Sequence, residues 1–481
     1  MSTKQFPIHK GITLLTRTEI DKIDRAGRRI LKRVGVKILD RHTLEVLKTG
    51  GARVDFKENR VCFSGRWLDK MIAKAPQQFT LYSRDGKNDL HLGSGNVYFG
   101  NGGRVFQILD MGTGGYRPTI LQDVINTARL VDRLDHIRFY IIACQAHDLD
   151  PGFYHLNDFF HAFSNTTKHV MGGCATLEGV KQLWHLARFM AGGEDRLRKR
   201  PFVSVITNPI SPLTFDANTL KILEFCALNG VPATCAPAPI AGATSPATLA
   251  GTLAQLHAEA LAGVSIAQVF NPGARMLYGA VPTAMDLRTM DLTMGSVETA
   301  MLNTCAVHLA KRYKLPIYAS AGVTDAKVPD IQSGFEKGVS YLLVAMAGAD
   351  YIHLAAGMLD SGNSISYEQF IIDNEILGMV HRLIRGVDVD VETLAVNTIE
   401  NVGPGGNYIT EEHTVQHMFR QFFYPTLAIR MNFDRWQEQG QPTPLTNARE
   451  LARTWLEEAE PVLSLEKLLE IKSRFPEIVN P

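Results

Sequence analysis

The sequence lacks an excess of charge of either sign and a long apolar run. Its 50 basic and 49 acidic residues leave a formal net charge of +1, which gives no electrostatic footprint for nucleic acid or an anionic membrane. No segment approaches the roughly 20 apolar residues that span a bilayer, and the opening MSTKQFPIHKG contains no apolar signal core. We therefore expect a cytoplasmic protein that acts on a small molecule or on another protein.

Cysteine is scarce, and no CxxC pair is present. The six cysteines are Cys62, Cys144, Cys174, Cys226, Cys235 and Cys305. Most lie within apolar runs, so we interpret them as reduced core thiols rather than as a disulfide framework.

The motifs that identify common cofactor and metal sites are also missing. The segments GNGG and GTGG lack the GxGxxG spacing, and the chain has no P-loop and no GxSxG elbow. Among the histidines considered as metal ligands, His147, His155, His161 and His169, none forms the HxE or HExxH spacing. We therefore expect no tightly bound catalytic metal. Paired carboxylates of a glycosidase stay open, although few acids follow the apolar runs.

What the chain does contain is a rhythm of about eight short apolar runs, each followed by a helical pattern. Apolar runs without strict alternation favour strands buried on both faces, and repeated strand and helix units predict a parallel sheet. Eight such units predict an α/β protein with a (β/α)8 TIM barrel, whose chemistry lies where strands end and loops begin. The runs start near Val97, Ile137, His169, Phe202, Pro232, Ser265, Pro316 and Tyr351.

The flanks of the barrel predict two additions. Residues 1–92 read as an N-terminal α+β extension, with Thr16 or Thr18 capping a first helix. The barrel is expected over 93–385. Residues 386–481 predict a helical extension packed on it, with a long helix over 411–432 that turns Phe419, Phe422 and Phe423 inward.

Three predicted strand ends carry candidate site residues. In YFGNGGRVF, backbone N–H groups with Arg104 could hold a carboxylate and Phe99 could stack on a cation, although an ordinary glycine turn gives the same pattern. In the seventh unit, a polar cluster contains Asp325 and Gln332, where an aspartate could equally cap a helix. In the eighth, His353 shares a strand face with Tyr351 and could orient a substrate or be a core histidine.

Several longer segments carry a family resemblance. They are TGGYRPTILQDVINTARLVDRLDHI, GVTDAKVPDIQSGFEKG, ADYIHLAAGMLDSGNSISYEQFIIDNEILGM and ENVGPGGNYITEEHT. In these segments, which follow in order over most of the chain, the protein resembles the trimethylamine methyltransferase family. The resemblance implies a barrel that moves a methyl group from an amine to the cobalt of a separate corrinoid protein. It also implies a reductive activator for that partner and a second methyltransferase with a tetrahydrofolate-type or thiol acceptor.

One departure from the namesake members narrows the substrate. Those members carry pyrrolysine in the barrel, whereas this chain has only standard residues. Members without pyrrolysine resemble the glycine betaine:corrinoid methyltransferase branch, which includes enzymes for carnitine and proline betaine. The resemblance therefore implies a quaternary amine, with glycine betaine as the first choice.

The chemistry of methyl transfer agrees with that choice. A quaternary ammonium leaves as a neutral tertiary amine, so no general acid is needed, and cobalt(I) held by the partner is a strong nucleophile. The barrel protein then has no tightly bound cofactor and must position substrate and exclude water, with His353 and Asp325 as candidate positioning residues. Its mouth must stay open to the corrinoid.

A betaine site needs aromatic faces for the cation and donors for the carboxylate. The candidate aromatics are Phe99, Phe106, Tyr278, Tyr318, Phe335 and Tyr351. The candidate polar residues are Asn101, Arg104, Asn208, Gln332 and His353. We expect two or three of the aromatics to converge.

Other hypotheses remain open from the sequence. The same chemistry could act on carnitine, γ-butyrobetaine or proline betaine. A barrel hydrolase or lyase would use Asp325, His353 and Glu368, and a non-catalytic betaine-binding protein would have a closed mouth. A homo-oligomer is compatible with the sequence, which contains no feature that requires one.

Overall fold

A closed barrel of eight parallel strands forms the centre of the protein. The computed structural model describes residues 11–480. The strands are β1 Tyr98–Gly100, β2 Ile137–Ile141, β3 His169–Gly173, β4 Val203–Thr207, β5 Ala233–Cys235, β6 Met276–Gly279, β7 Ile317–Ser320 and β8 Tyr351–His353. They pair in chain order, and β8 pairs with β1 to close the barrel. The predicted TIM-barrel fold is confirmed.

Eight helices follow the eight strands and cover the outside of the barrel. They are α1 Leu121–Arg133, α2 Tyr154–Asn165, α3 Leu177–Ala191, α4 Ala217–Asn229, α5 Leu249–Phe270, α6 Val297–Arg312, α7 Ile331–Ala347 and α8 Tyr367–Ile384. Because each helix returns the chain to the start of the next strand, all the strand ends face the same opening.

The sixth predicted strand is wrong. The run that begins at Ser265 lies inside α5, and the strand itself is Met276–Gly279. The physical reason is that α5 is buried on nearly all sides, since the N-terminal helices pack against its outer face. A helix that is apolar all round has no helical stripe to distinguish it from a buried strand.

The region before the barrel is α+β, as predicted from about residue 11 onward, while residues 1–10 lie outside the described residues. Its helices are Arg17–Arg33, Arg41–Thr49 and Gly65–Ile72, and its strands are Val36–Ile38, Arg53–Asp55, Arg60–Cys62, Phe79–Leu81 and Leu90–Leu92. Thr16 is the N-cap of the first helix, because its hydroxyl accepts the backbone N–H of Glu19 at 3.3 Å. The hairpin of the last two strands packs under Tyr98 and covers the bottom of the barrel.

Short elements extend the loops at the two ends of the barrel. The strands are Gln107–Leu109, Tyr116–Pro118, Thr214–Phe215, Ile240–Ala241, Thr283–Asp286, Asp291–Thr293, Met358–Leu359 and Ser364–Ile365, with a 3-10 turn at Asp360–Gly362 and a helix at Glu194–Lys199. Most of these strands pair into two small sheets at the barrel mouth, so the loops there contain regular, hydrogen-bonded secondary structure.

The C-terminal region is helical. Its helices are Val391–Leu394, Val396–Val402, Glu412–Gln421, Phe433–Glu438, Pro444–Glu457 and Leu465–Arg474. The fifth of these packs on α8 and α1, where Arg449 forms an ion pair with Glu368 at 3.0 Å. The exact boundaries of the three regions, placed at 92 and 385 from the sequence, stay a prediction.

One prediction for this region is wrong. The helix expected over 411–432 ends at Gln421, because Pro425 lacks an N–H and disfavours a helical residue before it. Phe419 is 76% exposed and Phe422 is 65% exposed. Only Phe423 turns inward, where its ring packs on Gly378.

Two further expectations concern the chain as a whole. The six cysteines all lie in the described region and are buried and unpaired, as predicted. Between residues 11 and 480, no helix is long and apolar enough to cross a membrane.

Candidate functional site

A cavity of about 520 Å³ opens where the barrel strands end. Its size is within the range of small-molecule sites, about 300–1,000 Å³. The apolar part of the wall comprises Ile141, Ile142, Cys174, Ala175, Ile206, Ile222, Val281 and Leu354, and the polar and aromatic part comprises Arg104, Tyr154, His155, Thr207, Asn208, Asp216, Asn218, Thr219, Tyr318 and His353. The cavity therefore lies where the fold predicts chemistry.

Arg104 is the cationic residue of this wall. It follows β1 with a φ of 60°, and its backbone N–H donates to the carbonyl of Ile142. One guanidinium nitrogen donates to Oε1 of Gln145 at 2.9 Å, and the other donates to Oδ2 of Asp158 at 3.0 Å. The guanidinium also lies 5.2 Å above the ring of Tyr154. Its position is therefore fixed from three sides, and its remaining N–H groups are free to meet an anion in the cavity.

Asp216 is the acidic residue of the wall. Its carboxylate caps α4 by accepting the backbone N–H groups of Asn218 and Thr219 at 2.9 and 3.0 Å. It also accepts the hydroxyl of Thr219. These donors fix the orientation of the carboxylate and leave its negative charge at the cavity.

The two histidines of the wall are neutral at physiological pH. Burial lowers the pKa of His155 to about 3, with the charge of Arg104 acting in the same direction. Burial also lowers the pKa of His353 well below its ordinary value. Arg104 and Asp216 are therefore the two formal charges among the described residues that line the cavity.

A column of stacked rings leads from the barrel interior to the cavity. Phe139 stacks on Tyr351 with 3.6 Å between ring centroids, Tyr351 and Tyr318 are 5.5 Å apart, and Tyr318 stacks on His353 at 3.9 Å. His353 in turn shares a hydrogen bond of 2.6 Å with the hydroxyl of Ser320. Because Tyr318 packs against rings above and below it, the part of Tyr318 that reaches the cavity is its edge rather than a free face.

The sequence named four residues that the structure brings together at the cavity: Arg104, Asn208, Tyr318 and His353. Asn208 follows β4, and its amide N donates to the carbonyl oxygens of Thr207 and Ala236 in the favoured orientation. Arg104, Asn208 and His353 lie at or just after a strand end and Tyr318 lies within β7, which explains why strand prediction alone found them.

Other predicted residues lie behind the barrel wall. Phe99 packs edge-on against Tyr341 and His381. The hydroxyl of Tyr278 bonds to His257 at 2.8 Å on the outside of the barrel. These two aromatics do not reach the cavity, because alternation along β1 and β6 turns them outward.

Asn101 and Tyr351 lie within the barrel structure itself. The amide of Asn101 bonds both to the backbone N–H and to the carbonyl of Ile141, so it joins β1 to β2. Tyr351 is buried one layer below the cavity, and its hydroxyl has no hydrogen-bond partner among the described residues. Of the six candidate aromatics, Tyr318 alone lines the cavity.

Asp325 and Gln332 bind other parts of the mouth. Asp325 accepts the backbone N–H groups of Met294 and Gly295 at 2.9 and 3.1 Å, and it accepts the hydroxyl of Ser361 at 2.7 Å. Gln332 donates to Glu336 on its own helix. Asp325 therefore fixes the loops that follow β6 and β8 and lies outside the cavity wall.

The last two candidates lie on the rim of the barrel mouth. Phe106 is 57% exposed and Phe335 is 58% exposed. Further large apolar side chains are exposed on the loops and first helical turns after the strands: Phe153, Ile210, Leu287, Met290, Val328 and Ile331. We call these eight residues the apolar rim. Exposed apolar side chains that lie close together are typical of surfaces that contact another molecule.

Sequence reasoning missed four residues of this region. Tyr154 and His155 line the cavity from α2, Asp158 lies one turn further along the same helix, and Asp216 precedes α4. For the three residues of α2 the signal available was DPGFYHLND, a helix start after the second strand, which does not say which side of the helix faces the mouth. For Asp216 it was only an aspartate before a helical pattern. Within the described part of the chain, no group of three or more His, Cys, Asp or Glu side chains is arranged to hold a metal ion.

Comparisons with known proteins agree with the resemblance described above. Residues 3–471 match the profile of trimethylamine methyltransferase (MTTB). The trimethylamine methyltransferase MttB of Desulfitobacterium hafniense DCB-2 is 35% identical over 458 residues, which cover 95% of this chain and 92% of that protein. The glycine betaine methyltransferase of Desulfitobacterium hafniense Y51 is 32% identical over 434 residues, which cover 89% of each chain.

The fold also has a counterpart among solved structures. The crystal structure of the Methanosarcina barkeri monomethylamine methyltransferase covers 95% of this chain and 90% of its own, with a TM-score of 0.54 and 13% identity. At that identity the likeness supports the barrel architecture alone.

Proposed function

Because this chain belongs to the trimethylamine methyltransferase family, we propose that it transfers a methyl group from a quaternary amine to cobalt(I) of a separate corrinoid protein. Glycine betaine is the proposed substrate and dimethylglycine the product. Its relation to a glycine betaine methyltransferase and its lack of pyrrolysine both support a quaternary amine.

The observation that carries the substrate class is the charge pattern of the cavity. Arg104 supplies one positive charge and Asp216 one negative charge, while the two wall histidines are neutral. A betaine carries the complementary pair, a carboxylate and a quaternary ammonium. The guanidinium is suited to the carboxylate, and Asp216 attracts the ammonium.

The reaction needs positioning rather than proton transfer. The electron pair of cobalt(I) forms the new cobalt–carbon bond while the carbon–nitrogen bond breaks. Nitrogen keeps the electron pair of the broken carbon–nitrogen bond and leaves as a neutral tertiary amine. The apolar wall excludes water from this step, and the edge of Tyr318 with neutral His353 borders the methyl groups without adding positive charge. Holding the two reactants in line is the main contribution expected of the protein.

The apolar rim supports a transient complex with the corrinoid protein. The acceptor must reach the cavity at the strand ends, and the rim residues follow those strand ends in the chain. A partner that delivers cobalt there would therefore cover Ile331, which is 87% exposed. Burying such side chains at an interface is favourable. The partner would leave with the methyl group once transfer is complete.

A longer betaine is the second candidate. The cavity of about 520 Å³ has room for a ligand larger than glycine betaine, so carnitine, γ-butyrobetaine and proline betaine would fit the same charges. A hydrolase is less well supported, because Asp325 and Glu368 both lie outside the cavity wall and are bound to other groups.

The test is methylation of a reduced cobalt(I) corrinoid, free or on its partner protein, followed by its visible spectrum. We expect conversion to methylcobalt with glycine betaine and an equal amount of dimethylglycine. Conversion with another betaine would replace the substrate and keep the reaction. Failure with every amine, in the presence of an active corrinoid control, would reject the proposal.

A further inference from the structure

A buried carboxylate next to the cavity has one oxygen without a partner. The side chain of Asp158 is fully buried, and its Oδ2 accepts from Arg104 at 3.0 Å. Its Oδ1 has no hydrogen-bond partner among residues 11–480. An unsatisfied buried oxygen costs folding free energy, which an ion pair with a structural role alone does not require of Asp158.

Asp158 lies directly behind the cavity wall and contacts the wall residue Arg104. It lies on α2 one turn after Tyr154 and His155, which both line the cavity. Its contact to the site is made through Arg104, whose other contacts are Gln145 and the ring of Tyr154. Asp158 therefore acts on a ligand through the guanidinium rather than by touching it.

We propose that Asp158 is a positioning residue that holds Arg104 against the cavity and, by binding or releasing a proton, sets the positive charge that Arg104 offers to a substrate carboxylate. This inference rests on the proposed function, since it requires a substrate with a carboxylate. It assigns the discrimination between a betaine and a simple quaternary cation to the pair of Arg104 and Asp158.

The surroundings of Asp158 allow its protonation near neutral pH. The groups that face it from other elements are Arg104, Tyr140, Cys144, Asp148 and Cys174. Burial raises the pKa values of the tyrosine and the two thiols, so these groups stay uncharged. Burial raises the pKa of Asp158 to about 7, Asp148 adds to that rise, and Arg104 opposes it.

The direction of the pH effect follows from this pKa. Below pH 7 Asp158 is protonated and Arg104 keeps its full charge, so a carboxylate binds well. Above pH 7 Asp158 is ionised and neutralises Arg104. We expect the Kd of glycine betaine to rise by at least about threefold between pH 6 and pH 8.5. Tetramethylammonium, which has no carboxylate, should not lose affinity over this range.

The first measurement uses the wild-type protein and isothermal titration calorimetry in buffers of different ionisation enthalpy. A carboxylate at Arg104 favours the protonated form of Asp158, so binding of glycine betaine at pH 7.5 should take up a fraction of a proton. Tetramethylammonium should take up none. Betaine binding without proton uptake would overturn the inference. Because this measurement uses the wild-type protein, it does not depend on the folding of a variant.

The second measurement compares Asp158→Asn with the wild type, with Asp40→Asn as the matched control. Asp40 caps a helix in the N-terminal region, and asparagine caps equally well. We expect Asp158→Asn to bind glycine betaine with a Kd that no longer depends on pH, while Asp40→Asn keeps the wild-type profile. The same change should appear in KM and leave kcat nearly constant.

The outcomes separate this inference from the proposed function. A wild-type pH profile in Asp158→Asn, or an equal loss of both ligands, would show a merely structural role and overturn the inference alone. If the wild-type protein binds neither ligand and methylates no corrinoid, the proposed function fails and the inference fails with it.

Discussion

A buried ion pair fixes the loops that follow β7 and β8, the strands that carry Tyr318 and His353. Lys337 on α7 and Asp373 on α8 are both completely buried, with 3.0 Å between Nζ and Oδ2. Lys337 also donates to the carbonyl of Gly322 after β7 at 2.6 Å. Asp373 accepts the backbone N–H of Gly357 after β8 at 2.8 Å and the amide of Gln369 at 2.9 Å. Removing the lysine charge therefore leaves the carboxylate that holds the loop after β8 without its counter-ion, and it frees the loop after β7 from Lys337.

We predict that Lys337→Met destabilises the protein by about 3–5 kcal/mol at pH 8, the usual cost of leaving one partner of a buried ion pair. Burial raises the pKa of Asp373, and loss of Lys337 removes the charge that opposes this rise. A carboxyl group whose folded-state pKa lies above its unfolded-state pKa lowers stability as the pH rises from the unfolded-state value to the folded-state value, and the full cost is present above the latter. The loss should therefore be smaller at pH 5, where the carboxyl group can take up a proton.

The assay is thermal and urea unfolding of both proteins at pH 5 and pH 8. Lys327→Met is the matched control, because Lys327 forms an ion pair with Asp360 at the surface of the mouth. Surface pairs contribute about 0–1 kcal/mol, so this control should unfold almost like the wild type. The reasoning is refuted if Lys337→Met costs no more than Lys327→Met at pH 8, or if its loss is the same at both pH values.

Three other predictions concern the barrel interior, the cavity and the rim. A Cβ at Gly100 would lie 1.9 Å from the ring of Phe139, so Gly100→Ala should cost about 1–3 kcal/mol, and an unchanged melting temperature would contradict the packing. Asp216→Asn should weaken binding of glycine betaine by roughly three- to tenfold without weakening 3,3-dimethylbutanoate, the analogue that keeps the carboxylate but has carbon in place of the ammonium nitrogen. Calorimetry showing equal losses would contradict an attraction to the ammonium. Ile331→Asp should raise the KM for the corrinoid protein about tenfold without changing the rate of methyl transfer to free cob(I)alamin. The control is Val391→Asp, at a side chain 88% exposed in the C-terminal region, which should change neither this KM nor that rate. Slower transfer to both acceptors in Ile331→Asp would argue against docking at the rim.

The sequence was sufficient for most of the barrel because its strands are buried on both faces. Seven of the eight strand starts lie within one residue of the predicted position. The exception, the run at Ser265, shows the limit of the method, since a helix buried on all sides carries the same apolar pattern as a buried strand. The N-terminal helices bury the outer face of α5, and this tertiary packing cannot be predicted from the local sequence pattern.

The site was predictable only where it belongs to strand ends. Arg104 and His353 follow directly from the rule that barrel chemistry lies after the strands. Asp158 does not, because its approach to Arg104 depends on the rotation of α2 about its own axis. Phe106 and Phe335 are candidates for the cation site from the sequence, because composition does not separate an aromatic ring inside a cavity from one on its rim.

The stacked rings of Tyr351, Tyr318 and His353 limit how the cavity could select the proposed betaine. Tyr318 lies between Tyr351 and His353, so its face is already in contact with other rings, and a cation–π cage cannot be built on it without breaking the column. For the proposed betaine, the ammonium would then depend on the carboxylate of Asp216, and the neutral His353 adds no positive charge beside it. Selection by charge pairs tolerates different distances between the ammonium and the carboxylate better than a rigid cage would. The same cavity could therefore accept betaines of different length, whereas a quaternary cation without a carboxylate would lose its contact with Arg104.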